Sequence, residues 1–491
     1  MVKFINGILN SRWHFIWLIL FFILHGYAGY IGLLSFTDLL ILFAEYCLLA
    51  AIIYFISKRF FKEALNAAVY TSLFMLVFLF FEDLRIFTAK WKWIAPVSAL
   101  KFFFPLSVMV LVAGFFFFKR ISTTLKKITN FLNIIFLVYL FIDGAGIMFK
   151  LISSDIKKNK ENTAVSSDTR VKPPVYFILL DEYLGSKGLK EYFNYDNSWF
   201  ENKLMQNGFS VITNTKSNYH YTVFSMASIL NMDYIKDMGE QTVYNQYGYY
   251  KATLGIRQNE VCKIFEKQGY EIVNYSDFDI EAHPAGQGYH LLPSGRALIS
   301  NRTMYYQVKK NLPYFLARYA KFTGMANDLA ERSIEINEQR LNKTLEAAKP
   351  VLQKPSFTYL HLNMPHVPYA FDSSGNNVLQ QWVGKLTQKQ KDEMYLQYLI
   401  YTNKKIAGFI DSLQAKTNHK AVIILMSDHG YREALHKTLA LAHENFFAIY
   451  QPQPNGAFQK DSITSVNTFR ILLSNLFNEN LPLVKDSLVL K

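Results

Sequence analysis

The stretch 175-VYFILLD-181 decides the fold, because six apolar residues that favour β-structure are followed at once by an acidic one. An apolar run that does not alternate with polar residues is typical of a parallel strand with both faces buried. Five similar short runs follow, with helical patterns between them, at 209–213, 271–275, 356–361, 421–426 and 446–450. This alternation predicts an α/β domain whose mostly parallel sheet is flanked by helices.

The residues upstream of this domain are far more apolar. Five segments approach the roughly 20 residues that a helix needs to span a bilayer, and they lie at about 13–34, 38–57, 65–82, 102–118 and 129–149. A cleaved signal peptide would supply one such segment rather than a series. The sequence therefore predicts a bundle of five transmembrane helices in residues 1–150, a polar linker in 151–173 and a catalytic domain in 174–491.

Basic residues predict which side of the membrane each loop occupies. Alternate loops carry nine Lys and Arg residues against four, and the richer side is cytoplasmic by the positive-inside rule. An odd number of spans then places the catalytic domain outside the cytoplasm, on a multi-pass protein of the cytoplasmic membrane. Trp91 and Trp93, in an outer loop, are expected at the level of the lipid headgroups.

The net charge of +14 belongs mostly to the membrane part, which has 14 Lys and Arg against 6 Asp and Glu. The remainder has no arginine-rich tract, so we expect no nucleic-acid partner. Cys47 and Cys262 lie in different parts of the chain, which argues against a disulfide or a cysteine-rich metal cluster. Glu45 and Asp143 are the clearest charges within the spans, and we expect each to pair with a neighbouring helix or to lie near an interface. The spans show no internal repeat of the kind that transporters have.

Chemistry is expected where the strands end, because ligands of open α/β sheets bind beyond the carboxyl ends of the parallel strands. Asp181 and Glu182 follow the first strand, although an acidic pair is also common in loops and helix caps. In 421-AVIILMSDHG-430, Asp428 and His429 follow another buried run, and the glycine after them permits close backbone approach. A carboxylate beside an imidazole suits a hard or borderline divalent cation.

Thr222 opens an apolar helical pattern that runs to about Leu230. A hydroxyl at this position is usually a helix cap. The start of a helix also binds phosphate through its free N–H groups, and a nearby cation would make the hydroxyl a usable nucleophile. Other apolar runs lead to His361, His366 and His443. Each histidine alone is more often a packed or surface residue, but together at one sheet edge they could bind phosphate or move protons.

Taken in order, Asp181, Thr222, 364-MPHVPY-369 and 427-SDHG-430 resemble the motifs of the alkaline phosphatase and sulfatase superfamily. With membrane helices in front, the chain is most similar to the lipoteichoic acid synthases and the lipid A phosphoethanolamine transferases. The resemblance implies one divalent metal, zinc or manganese, with the ligands Asp181, Thr222, Asp428 and His429. It also implies that Thr222 is the nucleophile and that substrate is bound, or a proton donated, by His366 and His443. Further candidates beside these positions are Glu182, His361 and Arg432.

The chain departs from the family pattern at two points. The transferases usually have Glu as the first ligand, where this chain has Asp181 with Glu182 beside it. Sulfatases that use formylglycine need Cys or Ser at the nucleophile, and Thr222 cannot be converted, so a phospho-threonine intermediate is the better expectation. The motifs lie outside residues 233–350, which match no pattern.

The resemblance therefore implies a membrane-bound, metal-dependent transferase. It would move a phosphoethanolamine- or phosphoglycerol-type headgroup from a phospholipid donor, through phospho-Thr222, to a glycolipid or glycan acceptor of the cell envelope. The lipid bilayer is the other expected partner. Two alternatives stay open at this point: a phosphodiesterase or other hydrolase of the same superfamily that uses water, and a non-enzymatic binding module anchored in the membrane.

Overall fold

The computed structural model describes most of the chain. The described residues are 11–157, 172–236, 243–285, 293, 295–320, 322–350, 354–379, 386–432, 439–454, 456–458 and 462–490. They form two compact units. The helical unit comprises residues 1–162 and 293–312, and the sheet unit comprises residues 163–292 and 313–491.

The described helices and strands follow one another in three parts of the chain. The first part forms α1 (His14–Ala28), α2 (Phe36–Phe60), α3 (Ala64–Leu79), α4 (Phe81–Ala89), α5 (Leu100–Arg120) and α6 (Lys126–Lys157). The next part forms β1 (Val175–Leu180), α7 (Ser186–Phe193), α8 (Ser198–Gln206), β2 (Phe209–Ile212), β3 (Asn214–Lys216), α9 (Thr222–Asn231), α10 (Gln246–Arg257), α11 (Glu260–Lys267) and β4 (Glu271–Tyr275). The last part forms α12 (Ala297–Ser300), α13 (Met304–Ala320), α14 (Gly324–Ala347), β5 (Ser356–Leu362), α15 (Gln388–Lys416), β6 (Val422–Ser427), α16 (Leu439–His443), β7 (Phe447–Tyr450), β8 (Ser462–Thr464) and α17 (Thr468–Phe477).

The helical unit anchors the protein in a membrane. Among the described residues, three helices are long and apolar enough to cross a bilayer: α2, α5 and residues 126–152 of α6. Helices α3 and α4 meet at a bend of 68°, and they make a fourth span only if the two together form one bent transmembrane segment. The described helix α1 has 15 residues, which is about 22 Å of helix against a hydrocarbon core of roughly 30 Å. Three to four spans are therefore supported, and the count of five stays a prediction.

The charged residues predicted within the spans both have partners in the helical unit. Oδ2 of Asp143 lies 3.2 Å from Nδ1 of His25 on α1. Oε1 of Glu45 lies 2.7 Å from Nη1 of Arg296, which comes from the region that matched no sequence pattern. Because each charge has a neighbour of opposite or potentially opposite sign, a structural role accounts for both carboxylates.

Residues 293–312 belong to the helical unit, although the residues before and after them in the sequence belong to the sheet unit. The side chain of Ile299 is buried and packs against Gly26 of α1. Arg302 pairs with Asp83 on α4, and its carbonyl oxygen accepts a hydrogen bond of 3.0 Å from the N–H of Glu82. This segment is therefore fixed to the helical unit by an apolar contact and by charge pairs.

The sheet unit is built on a six-stranded sheet with the order β2-β7-β6-β1-β5-β4. Strands β6, β1, β5 and β4 are mutually parallel, and β7 runs antiparallel to both its neighbours. All six predicted runs are strands of this sheet, so the prediction of a mostly parallel sheet flanked by helices is confirmed. Strands β3 and β8 form a separate parallel pair.

Strand β1 explains why its sequence is apolar without interruption. All six residues are buried, and successive side chains enter different cores because a strand alternates its faces. Phe177 packs in one core with its ring 5.1 Å from that of Tyr359, whereas Ile178 and Leu180 belong to the core on the other face. The central strand therefore needs apolar residues at every position.

The register of the parallel strands brings the candidate site residues to the carboxyl edge of the sheet. Leu180 at the end of β1 is paired with Ser427 at the end of β6 and with Leu362 at the end of β5. The residues that follow these strands, Asp181 and Asp428 among them, therefore emerge side by side.

Candidate active site and metal centre

Two carboxylates and an imidazole meet at the carboxyl edge of the sheet. Asp181 follows β1, Asp428 and His429 follow β6, and all three side chains are fully buried. One ligand atom from each residue lies within 4.8 Å of the others. Nε2 of His429 is 3.2 Å from Oδ2 of Asp428 and 3.8 Å from Oδ1 of Asp181. We call these three residues the acidic cluster.

The hydroxyl of Thr222 faces the acidic cluster. Helix α9 begins at Thr222, and Tyr221 precedes it as the N-terminal cap residue without a side-chain capping bond. Oγ1 of Thr222 lies 3.3 Å from Nε2 of His429. The side chain is 7% exposed, so it is close to the surface of the site but shielded from bulk water. The usual capping role of a threonine at this position is therefore not the one that the structure shows.

His429 is held as a neutral ring with a defined tautomer. Burial, and next the charge of Arg432, lower the pKa of His429 well below its ordinary value. Nδ1 lies 2.8 Å from the carbonyl oxygen of Gly430, and it must donate because a carbonyl only accepts. Nε2 therefore presents its lone pair towards Thr222 and the two carboxylates.

The two carboxylates oppose each other electrostatically. Burial, and next the negative charge of Asp181, raise the pKa of Asp428 above its ordinary value. Burial acts in the same direction on Asp181, but the electrostatic interaction with His366 and the hydrogen bond with His361 outweigh it, so the pKa of Asp181 is lowered. A cation between the two groups would remove the repulsion and favour both ionised forms.

The acidic cluster fits a divalent cation. Oδ1 of Asp181 and Oδ2 of Asp428 are buried and accept no hydrogen bond from any described residue, although buried polar atoms are nearly always paired. The three contacts of Nε2 of His429, at 3.2, 3.3 and 3.8 Å, are near the roughly 3.3 Å that separates ligand atoms of a tetrahedral site with bonds of about 2.0 Å. The donor set suits zinc and manganese alike. It indicates a divalent metal site and leaves the metal open.

The backbone around the cluster is fixed from several sides. Oγ of Ser225 on α9 donates a 2.5 Å hydrogen bond to the carbonyl oxygen of Asp428, which ties the start of α9 to the end of β6. A Cβ at Gly430 would overlap the carbonyl oxygens of Leu441 and Glu444, so glycine is needed for this close approach. These contacts hold Thr222 and His429 in one place.

Glu182 adopts a backbone conformation that is costly for a residue with a side chain. Its φ is +62°, in the left-handed region that non-glycine residues rarely occupy. Its N–H donates a 3.1 Å hydrogen bond to Oδ1 of Asp428, and its carbonyl oxygen accepts a 2.8 Å bond from the hydroxyl of Tyr395. Its side chain turns away from the cluster, and Oε1 accepts a 2.8 Å bond from the N–H of Arg432.

Arg432 and His366 form a basic pair beside Thr222. Nη2 of Arg432 donates to Nε2 of His366 over 3.0 Å, and Nδ1 of His366 donates to the carbonyl oxygen of Val367 over 2.8 Å. The guanidinium carbon of Arg432 lies 5.2 Å from the centre of the Tyr221 ring. A positive group therefore lies over the side chain of Tyr221, the residue that precedes Thr222.

His443 lies on another side of the site. Nδ1 donates a 2.8 Å hydrogen bond to the carbonyl oxygen of Ser217, so Nε2 carries the lone pair, and it has no hydrogen-bond partner among the described residues. Burial lowers the pKa of His443, which favours the neutral ring. Its described contacts run to Ser217 and to the ring of His220, 5.2 Å away, rather than to the acidic cluster.

Two buried residues, His361 and Asp277, and the partly buried Arg340 form a chain behind the cluster that sequence analysis missed in part. Nε2 of His361 is 3.4 Å from Oδ2 of Asp181, and Nδ1 is 3.8 Å from Oδ2 of Asp277. Arg340 on α14 holds Asp277 with a 2.7 Å contact and also donates to the carbonyl oxygen of His361 over 2.6 Å. His361 was a candidate, whereas Asp277 and Arg340 were not. Asp277 follows the end of β4 by two residues, and that is the signal that could have identified it.

The structure thus brings most of the sequence candidates into two groups, with two further histidines outside them. The four proposed metal ligands meet at Asp181, Thr222, Asp428 and His429. Glu182, His366 and Arg432 are joined beside them, and His361 lies behind Asp181. His443 contacts the ring of His220, and none of its described contacts reaches the acidic cluster.

A comparison of the sequence with protein-family models shows the family to which the chain belongs. The sulfatase family model matches residues 184–455, which is more than half of the chain. The chain belongs to the sulfatase family. It is an enzyme of the alkaline phosphatase and sulfatase superfamily, and its matched segment contains Thr222, Asp428, His429 and His443.

Several solved structures are similar to this sulfatase-family chain at a distance. The C-terminal periplasmic domain of EcEptC from Escherichia coli, in complex with zinc, is 12% identical with a TM-score of 0.39, covering 63% of this chain and 84% of that one. The soluble domain of lipooligosaccharide phosphoethanolamine transferase A from Neisseria meningitidis is 14% identical with a TM-score of 0.37, covering 65% and 92%. Phosphonate monoester hydrolase SpPMH from Silicibacter pomeroyi is 15% identical with a TM-score of 0.38, covering 65% and 76%. These likenesses are too distant to indicate a substrate, and no curated protein matches the chain.

Replacement of Asp428 by Asn distinguishes the effect of metal binding on stability from the effect of the carboxylate repulsion. Asn keeps the oxygen that accepts from Glu182 and His429, and it removes the charge that opposes Asp181. In chelator, we expect the variant to unfold about 2–4 °C above wild type, which is roughly 1 kcal/mol in a large domain. Zinc or manganese at about 100 times its Kd should stabilise wild type by about 2.7 kcal/mol and leave the variant unchanged. Thermal unfolding of the full chain measures both effects. A metal-dependent shift that survives in the variant contradicts the assignment, and Asp411→Asn on the surface is the control.

Replacement of Asp277 by Asn tests the chain behind the cluster. The shape is kept, but His361 loses the negative charge that faces Nδ1 and directs Nε2 towards Asp181. We expect the affinity for zinc or manganese to fall by about 10- to 100-fold, as for other partners that orient metal ligands. Competition titration against a chromophoric chelator measures this affinity. Asp279→Asn, in the same loop, should leave it unchanged, and a loss of stability without a loss of metal affinity would mean that Asp277 serves the fold alone.

Proposed function

We propose that the protein is a membrane-bound, metal-dependent transferase that moves a phospholipid headgroup, of phosphoethanolamine or phosphoglycerol type, through a phospho-Thr222 intermediate to a glycolipid or glycan acceptor. The observation that carries this proposal is the position of the Thr222 hydroxyl, 3.3 Å from Nε2 of His429. The same Nε2 lies near two carboxylate oxygens that have no hydrogen-bond partner among the described residues. A hydroxyl held in this setting is suited to attack phosphorus.

The metal would be held by Asp181, Thr222, Asp428 and His429. When bound, zinc or manganese would lower the pKa of the Thr222 hydroxyl and offset the negative charge that develops on phosphate oxygens. The residues of the chain do the rest. They bind the phosphate, orient the hydroxyl and move protons.

In the first step, Oγ1 of Thr222 forms a bond to phosphorus while the bond from phosphorus to the diacylglycerol oxygen breaks. Thr222 gives up one proton and the diacylglycerol oxygen takes up one, so the step has no net proton change. Nε2 of His443 has a free lone pair and no hydrogen-bond partner among the described residues. We assign to it the transfer of this proton.

In the second step, the acceptor hydroxyl attacks the phosphorus of phospho-Thr222, and the bond from phosphorus to Oγ1 breaks. The acceptor proton leaves and Thr222 regains one, which restores the enzyme. The same step with water in place of the acceptor gives a hydrolase. Whether the enzyme acts as a transferase or as a hydrolase therefore depends on whether the acceptor hydroxyl or water reaches the intermediate.

Arg432 and His366 are the proposed phosphate-binding groups. The guanidinium of Arg432 is held between Glu182, His366 and Tyr221, so its orientation is fixed before substrate arrives. Fixed donors aimed at developing charge stabilise a transition state without reorganisation. At the start of α9, free N–H groups add to the positive potential.

The membrane part supports a lipid donor. We propose five spans, with the sheet unit outside the cytoplasm, on the basis of the loop charges and the apolar helices α1 to α6. An active site tethered to the bilayer meets lipid substrate at a high effective concentration. A soluble phosphatase has no need of such a tether.

Turnover by Thr222 variants tests the proposal. With a fluorescent phospholipid and zinc or manganese, Thr222→Ala should release diacylglycerol at least about 1,000-fold more slowly than wild type, since loss of a nucleophile removes the covalent route. Thr222→Ser keeps a hydroxyl and should retain measurable turnover. Thr253→Ala is the matched control, because among the described residues that hydroxyl bonds to the Tyr249 carbonyl of its own helix and lies outside the site. Undiminished release by Thr222→Ala would overturn the proposal, and free headgroup in place of acceptor-linked product would favour the hydrolase.

A further inference from the structure

Helix α13 exposes an apolar stripe. Tyr305 is 63% exposed, Leu312 39%, Phe315 43% and Tyr319 58%. Their spacings of seven, three and four residues put them on one face of a helix that advances about 100° per residue. Large apolar side chains are thus gathered along one line of the surface rather than scattered over it.

The other face of α13 is packed from Pro313 onwards, so the exposure of the stripe does not come from an unpacked helix. Pro313 and Ala317 are buried. Ala317 packs in a small cluster with Ala326 and Tyr314. A helix that buries small residues and exposes aromatic ones has the reverse of the usual soluble pattern. A contiguous exposed patch of this kind marks a surface that contacts something else.

The helical unit indicates what covers the stripe. The segment that leads into α13 is fixed to the membrane helices through Ile299 against Gly26 and through Arg302 against Asp83. Tyr305 follows three residues after Arg302. The stripe therefore begins where the chain is already bound to helices whose outward surfaces are apolar.

The composition of the surface favours lipid over protein. Lys309 is exposed at the edge of the stripe, with Nζ 5.9 Å from the centre of the Tyr305 ring. The helical unit also exposes Trp91 and Trp93. Tyr and Trp with flanking lysine are typical of the headgroup level of a bilayer, whereas lysine is depleted from protein interfaces.

We propose that α13 is an interfacial helix, with Tyr305, Leu312, Phe315 and Tyr319 inserted at the headgroup level of the bilayer and Lys309 directed to lipid phosphates. The occupant of this surface is the membrane itself. The proposal is independent of the chemistry at Thr222.

Spin labels on α13 test this arrangement in the full chain. Cys47 and Cys262 are first replaced by Ala, and single cysteines at Phe315, Tyr319 and Lys310 are then labelled. Lys310 is exposed on the opposite side of the helix and serves as the matched control. The protein is placed in phospholipid nanodiscs with one copy in each, and collisions with oxygen and with a water-soluble nickel complex are measured by power saturation.

We expect labels at 315 and 319 to collide severalfold more with oxygen, relative to the nickel complex, than the label at 310. Equal ratios at all three positions would place the stripe in water and overturn the proposal. Protection of 315 and 319 that appears only with two copies in one disc would assign the stripe to self-association and would overturn it as well. Unchanged circular dichroism of each labelled protein shows that the fold is kept.

Discussion

The repulsion between the buried carboxylates of Asp181 and Asp428 is the constraint on which the rest of the site depends. Both follow neighbouring parallel strands whose register places Leu180 beside Ser427, so the fold itself forces the two charges together. No described residue donates a hydrogen bond to Oδ1 of Asp181 or to Oδ2 of Asp428. An arrangement of this kind is costly unless a positive charge joins it. The two carboxylates and His429 form a buried group that suits a divalent metal.

The neighbours of the cluster support a metal between the carboxylates. His429 is neutral and turns a lone pair towards them, since its Nδ1 proton is used by the Gly430 carbonyl. The permanent charge of Arg432 is held beside the cluster by His366 and Glu182. The strained backbone of Glu182 is what allows its N–H to face Asp428 while its side chain faces Arg432. We propose that the acidic cluster holds a cation, that Arg432 and His366 bind an anionic substrate group, and that Thr222 acts between them.

The strands of the sheet and several residues of the site could be predicted from the sequence, for physical reasons. The central strand must be apolar at every position because it enters two cores, and polar residues directly after such strands emerge at one edge. Asp181, Asp428 and His429 could therefore be found without a structure, and Thr222 could be found as the start of an apolar helix. The individual roles of these residues stay predictions.

Other features depend on contacts that a single sequence does not reveal. Residues 293–312 have no long apolar run, and they join the helical unit through contacts such as Ile299 against Gly26, Arg302 with Asp83 and Arg296 with Glu45. Asp277 is separated by more than 60 residues from Arg340, its partner. The number of spans depends on how far the bend between α3 and α4 is tolerated within a membrane, which hydropathy does not decide.

Covalent phosphorylation of Thr222 is the central claim, and intact-mass analysis of the purified full chain tests it most directly. Wild type and Thr222→Ala are incubated with membrane phospholipids and zinc or manganese, quenched in acid and weighed. We predict a phosphoryl-headgroup adduct on wild type and none on the variant, and the added mass names the group that is transferred. The same adduct on Thr222→Ala, or diacylglycerol release by wild type with no adduct at any time after mixing, would contradict the claim.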